Sequence, residues 1–335
     1  FDNLTQNLFN DLNIWTVHGF LRQGLTLFLS LSVNRCDSWT ESFRTTSTLG
    51  DLTRFINGFI LIICILGLMG NGRTIYLLAY SIRRNSFTTF ILNLSIADFG
   101  VLTSLLVVAI FVAVLILHEK TNFLTFFLFL ELFFFTYSAS QFLLMAISLE
   151  RCVAVLFPLW HRRHHYPYLP SLVCGLIWIL SFLLSGVHFI LHLTRSSGSS
   201  PLLYQLIVNG LLCTPIMVVS TVTLWILMRS KSQRNQRKLL TALLLALLCF
   251  LLFSLPMNVF YVTEYFGSCH PILLTIGMGC ASLNSSINPL LYFLVGKRNK
   301  GKDQPRTSFK IALQRVFQDE QGSPAKQQTM KEDQL

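Results

Sequence analysis

Apolar residues gather in seven long runs, roughly 55–80, 87–115, 123–153, 169–192, 202–228, 238–265 and 271–295, and the charged residues crowd into the stretches between them. A helix needs about 20 residues to cross a hydrocarbon core of about 30 Å, and each run is long enough. No ten-residue alternation of apolar and polar positions competes, so helices rather than a barrel satisfy the backbone in lipid. The pattern predicts an all-α membrane protein with a tail over 1–54, a seven-helix bundle over 55–295 and a second tail over 296–335. In that second tail the segment 308–317 sets Phe309, Ala312, Leu313, Val316 and Phe317 opposite Lys310, Gln314 and Arg315. Such a face predicts a short amphipathic helix lying on the inner leaflet.

Composition agrees: 53% of the residues are hydrophobic, 12% are charged and the mean hydropathy is +0.57. The net charge of +11 would suit nucleic acid, but its placement excludes that partner. Arg83, Arg84, Arg162, Arg163, Arg229, Lys231, Arg234, Arg237, Lys238 and most basic residues after Tyr292 fall on one side of the bundle. The positive-inside rule makes that side the cytosol, with the first tail outside and the last tail inside. Of the eight cysteines, Cys36 and Cys269 are the clear external pair, and a disulfide between them would tie the outer tail to the last outer loop. Asn3-Leu4-Thr5 is a glycosylation sequon in reach of the outer side, whereas those at Asn93 and Asn284 lie inside spans. The chain opens on Phe1, which reads as a trimmed start or an incomplete gene model, and the run Leu25 to Val33 is too short to span.

The third run carries the most chemistry. It ends on Glu150-Arg151-Cys152, and a charge at mid-bilayer costs about 2.5 to 3.5 kcal/mol, so such a pair is read as functional. Counting back from Arg151 at 100° per residue places Ile147, Leu144, Ser140, Tyr137 and Phe133 on the same stripe. Glu131 points about 200° away from that stripe, toward a neighbouring helix or the outer interface. Asp98, deep in the second run, needs buried partners, and Ser140, Asn284, Ser285 and Asn288 are available to it. Along the sixth run Asn258, Tyr261 and Tyr265 follow Ser254 on one face. With Phe133 and Tyr137 they can form an aromatic cup rimmed by Glu264 and suited to a cation; the alternative is that these rings only pack. His188 and His192 stand one turn apart, a spacing for two zinc ligands but without a third, so two interfacial histidines are the simpler state. Arg73 is expected to snorkel toward the inner headgroups, with a contact to the tail helix as the alternative.

Several of these stretches together carry a resemblance. Glu150-Arg151-Cys152 followed by Pro158, Gly70-Asn71, Asn93-Leu94-Ser95-Ile96-Ala97-Asp98, Trp178, Pro215, Pro256 and Asn288-Pro289-x-x-Tyr292 resemble the rhodopsin-like G-protein-coupled receptors. Cysteine after Glu-Arg, and Ser254 where most receptors carry tryptophan, narrow the resemblance to the Mas-related receptors. It implies a rhodopsin-like bundle whose switch comprises Glu150, Arg151, Ser254, Pro256, Asn288, Pro289 and Tyr292. For Asp98 it implies a sodium pocket with Ser140, Asn284, Ser285 and Asn288; a protonated, hydrogen-bonded carboxyl is the other reading. The implied partners are a heterotrimeric G protein, arrestin, the lipid bilayer and an extracellular peptide or small cationic ligand, at the plasma membrane. The disulfide that joins the third helix to the following outer loop in most such receptors has no cysteines to form it here, as in Mas-related receptors. A decayed or ligand-independent receptor is the first rival, and a transporter the second, although no inverted repeat supports it. Neither a nucleophile at convincing spacing nor a phosphate loop supports an enzyme.

Overall fold

The computed structural model describes residues 48–82, 86–117, 123–157, 168–194, 206–229, 237–265, 271–297, 309–311 and 313. Each apolar run is a helix: α1 Thr48–Tyr80, α2 Ser86–Leu117, α3 Phe123–Leu156, α4 Leu169–Thr194, α5 over 206–229, α6 Arg237–Tyr265 and α7 Pro271–Lys297. Helix α1 starts at Thr48, earlier than the expected 55. Its added first turns are solvent-compatible and carry an exposed Arg54–Asp51 pair at 3.3 Å.

Helix α5 changes character along its length. Leu206–Cys213 is π-helical and Thr214–Arg229 is α-helical. Pro215 has no N–H to donate to residue 211, and the turns before it widen instead. Pro256 and Pro289 lie inside α6 and α7 and each removes one helical hydrogen bond. By length and apolarity five described helices can cross a membrane: Asp51–Tyr80, Phe87–Val114, Leu128–Ala154, Leu169–Ile190 and Thr241–Phe260. The apolar part of α5 is shorter, and α7 is diluted by Ser282, Asn284, Ser285 and Asn288. These four side chains are buried in the bundle and need not meet lipid.

Helix α1 packs between α2 and α7, α7 packs on α6 and α6 on α5, while α3 sits inside the ring and touches α2, α4, α5 and α6. The apolar window of α3 is 72% buried and that of α4 only 17%, so α3 is the axis of the bundle and α4 its lipid-facing flank. Glycines set close approaches between helices, among them Gly277 of α7 against Met257 of α6. A Cβ on Gly67 would collide with the Ser286 hydroxyl of α7, and one on Gly100 would stand 2.6 Å from Thr136 Cγ2 of α3. Two apolar clusters fill the interior. The inner one includes Phe87, Leu143, Ile147, Leu247, Phe250 and Tyr292, and the outer one Leu105, Phe133, Phe134, Tyr137, Met257 and Phe260. Ala97 belongs to the inner cluster and Val101 to the outer, which places Asp98 at their boundary.

The tail segment docks on the bundle. The Phe309 ring stacks on Phe293 of α7 with centroids 5.9 Å apart, Leu313 is fully buried, and Lys310 and Ile311 are exposed. The Arg73 guanidinium lies over the Phe309 ring, 5.6 Å from its centroid, so the alternative contact to the tail helix is made by an arginine that stays exposed. An arginine close to the inner end of α1 meets an aromatic face before it reaches the headgroups.

Candidate functional site

The stripe on α3 is buried from end to end. Phe133, Tyr137, Ser140, Leu144, Ile147 and Arg151 are each at most 2% exposed. At its inner end Arg151 Nε lies 2.8 Å from Glu150 Oε2, with the arginine side chain 3% and the glutamate side chain 17% exposed. Adjacent residues on a helix leave it 100° apart, so the two side chains must bend toward each other to pair. The guanidinium also lies over the ring of Phe87, 4.1 Å from the centroid, at the start of α2. Sequence reasoning missed Phe87, because a phenylalanine at the start of an apolar run carries no signal beyond apolarity. Beside the switch, Cys152 Sγ is 3.7 Å from the Ser220 carbonyl oxygen and ties α3 to α5. Tyr292 is 1% exposed in the inner cluster, and Ser254 is buried with its hydroxyl donating to the Leu251 carbonyl at 3.3 Å, one turn before Pro256.

Midway along the bundle Asp98 is fully buried. Ser140 Oγ donates to its Oδ1 at 2.7 Å and Asn288 Nδ2 to its Oδ2 at 2.8 Å, and the buried Ser285 lies beside the carboxyl. Asn284 is buried on the same helix. The carboxyl therefore joins α2, α3 and α7, and Asn71 adds α1 by donating to the Ser285 carbonyl at 2.9 Å. Among the described residues no basic side chain pairs with Asp98. Nor does any group of three or more His, Cys, Asp and Glu side chains there form a metal cluster.

In the outer half Phe133 and Tyr137 stack with centroids 5.4 Å apart, enclosed with Met257 and Phe260. Asn258 is half-buried on α6, while the side chains of Tyr261, Glu264 and Tyr265 lie outside the described residues, as do Asn3, Cys36 and Cys269. A cavity of about 40 Å³ opens instead among Asn57, Leu105, Phe126, Leu274, Thr275 and Met278, between α1, α2, α3 and α7. That holds a water or two and is far below the roughly 300 Å³ of a ligand pocket. Glu131 faces α4, as its angle predicts. Its Oε1 is 2.6 Å from His188 Nδ1, and the Ser185 hydroxyl lies 3.4 Å from Oε2. His188 is thus a buried hydrogen-bonding partner of Glu131, 8% exposed, rather than an interfacial histidine. The His192 side chain lies outside the described residues.

Comparison with known proteins gives a consistent picture. The profile of the 7 transmembrane receptor (rhodopsin family) matches residues 70–292, from the Gly70-Asn71 pair to Tyr292. The Homo sapiens protein named Proto-oncogene Mas is 33% identical over 267 residues, covering 76% of this chain and 80% of that protein. The Homo sapiens Mas-related G-protein coupled receptor members D and X1 are 31% and 33% identical. Both alignments cover 77% of this chain, and 83% and 81% of the two relatives.

Proposed function

The chain belongs to the rhodopsin family of seven-transmembrane receptors and, within it, to the Mas-related G-protein-coupled receptors. From that premise we propose that it binds an extracellular peptide or small cationic ligand and activates a heterotrimeric G protein through Arg151. The observation that carries the reading is a guanidinium sealed at the inner end of α3, whose apolar window is 72% buried, and paired with Glu150 of the same helix at 2.8 Å. A charge held locally can be released by a movement of its surroundings, without taking α3 apart. Activation swings the inner end of α6 outward about the Ser254–Pro256 turns, and Tyr292 moves in beneath Arg151 as the guanidinium turns to the G protein. The receptor is not an enzyme: its output is a shape change that crosses the plasma membrane, with arrestin as a further partner of the inner face.

Asp98 sets the resting state. An ionised carboxylate sealed without a counter-charge is costly, and the oxygens of Asp98, Ser140 and Ser285 are the hard donors that suit a hard cation. A sodium ion held there would neutralise the carboxylate and favour the resting arrangement of α2, α3 and α7. A proton is the alternative occupant. Replacing sodium by an impermeant organic cation should raise basal signalling in the native receptor and leave Asp98→Asn unmoved; equal response of both forms would assign the site to the proton.

The ligand enters from the outer face over Phe133 and Tyr137, with Asn258, Tyr261, Tyr265 and Glu264 of α6 as its rim. A cell-based screen of G-protein dissociation with peptides and amines tests the whole reading. Arg151→Ala should abolish the response at unchanged surface level, and full agonist-driven dissociation in that variant would overturn it. Glu264→Gln and Tyr261→Ala should each weaken a cationic agonist, and unchanged potency would remove α6 from the ligand site.

A further inference from the structure

The inner side of the bundle is short of acids. From Ser81 to Lys302 the segments that face the cytosol carry Glu150 as their one carboxylate, while the loop before α6 and its first residues carry Lys231, Arg234, Arg237 and Lys238. Glu264, the acid of α6, stands at the opposite end of that helix, and the acids of the tail begin at Asp303, so Glu150 is the carboxylate that the inner helix ends and inner loops offer Arg151. Arg151 is nevertheless only 2% exposed, and a guanidinium withdrawn from water to that degree needs more than one stabilising partner. The structure supplies a second on another helix. The Phe87 ring, itself fully buried, presents its face to the guanidinium at 4.1 Å. Cation–π attraction strengthens on desolvation, and both groups here are removed from solvent.

We infer that Phe87 is a positioning residue of the switch, holding the Arg151 guanidinium against α2 through its ring face and thereby keeping the receptor quiet until α6 moves. This rests on the reading of Arg151 as the switch. Glu150 travels with Arg151 on α3, so its pairing does not fix the guanidinium relative to any other helix. Phe87 does fix it, because it stands at the start of α2. In the resting state the arginine is pinned across the α2–α3 junction, and release from the ring is the step that frees it toward the cytosol.

The test replaces Phe87 by mono-, di- and trifluorophenylalanine, which drain the ring face of negative potential while nearly keeping its shape. Basal G-protein dissociation is read across a panel of sensors at matched surface expression. Basal signal should climb step by step with fluorine number, reaching about three- to tenfold at the trifluoro ring, and Phe87→Leu should rise at least as far. Spin-label distances between the inner ends of α2 and α6 in the purified receptor should lengthen in the same order, without any G protein. A flat fluorine series in both readouts overturns the inference, even if Phe87→Leu signals, because packing alone would then explain the leucine variant. Adding Arg151→Ala to Phe87→Leu should silence the raised signal. If that signal survives, Arg151 is not the switch and both readings fall, whereas a flat series with Arg151→Ala still silent removes Phe87 alone.

Discussion

Helix α3 carries an acid and a base partner at each end, and the two pairs are built differently. At the inner end Glu150 and Arg151 are neighbours in the chain. At the outer end, twenty residues and about 30 Å away, Glu131 reaches across to His188 of α4. The inner pair can open while α3 stays where it is, since both partners ride on the same helix. Opening the outer pair separates two helices, which otherwise meet through apolar packing of Cys174, Ile177 and Trp178 and ring contacts of Phe135 with Trp178 and Phe182. Most of the surface of α4 is turned away from the bundle, and its polar ties include the Glu131–His188–Ser185 group and the Trp178 Nε1 hydrogen bond to Asn93 Oδ1 at 3.0 Å. A charged pair in a membrane protein thus serves as a switch or as a fastening according to whether it lies within a helix or between helices.

The sharpest way to break this comparison is at the outer end. His188→Ala leaves Glu131 buried without its partner and should cost about 3 kcal/mol of stability, read as a lower thermal midpoint of the purified receptor. Basal signalling per surface receptor should change little; a large rise with unchanged stability would make the outer pair a second switch. The inner end should answer in the opposite way. Glu150→Gln should raise basal signalling about twofold to fivefold, a loss of thermal stability with silent signalling being the contrary result. The smallest effect sharpens the account of α4. Trp178→Phe keeps the ring but loses the bond to Asn93, which should lower stability by about 1 kcal/mol and leave signalling alone. No loss of stability in that variant would leave the Glu131 group as the main polar fastening of α4.

Much of this was legible beforehand where the reasoning needed only one helix. The seven runs became seven helices with ends within a few residues of expectation, except at the start of α1. The 100° periodicity correctly gathered Phe133, Tyr137, Ser140, Leu144, Ile147 and Arg151 on one buried stripe and turned Glu131 away from it. Of the four partners expected for Asp98, Ser140 and Asn288 donate to it and Ser285 lies beside it, while Asn284 is buried on the same helix without a bond to the carboxyl among the described residues.

The sequence by itself determined which runs form long apolar helices and the order of side chains around each helix, since hydrophobic length and helical period act along the chain. Only the tertiary structure decided what stands opposite each side chain. A helical angle states the direction in which Glu131, Arg73 or Arg151 leaves its helix, but not that His188, Phe309 or Phe87 waits there. That choice belongs to how the helices pack. Close approach at Gly67 and Gly100 and the burial of α3 inside the ring bring together residues far apart in the chain, and no local propensity records it.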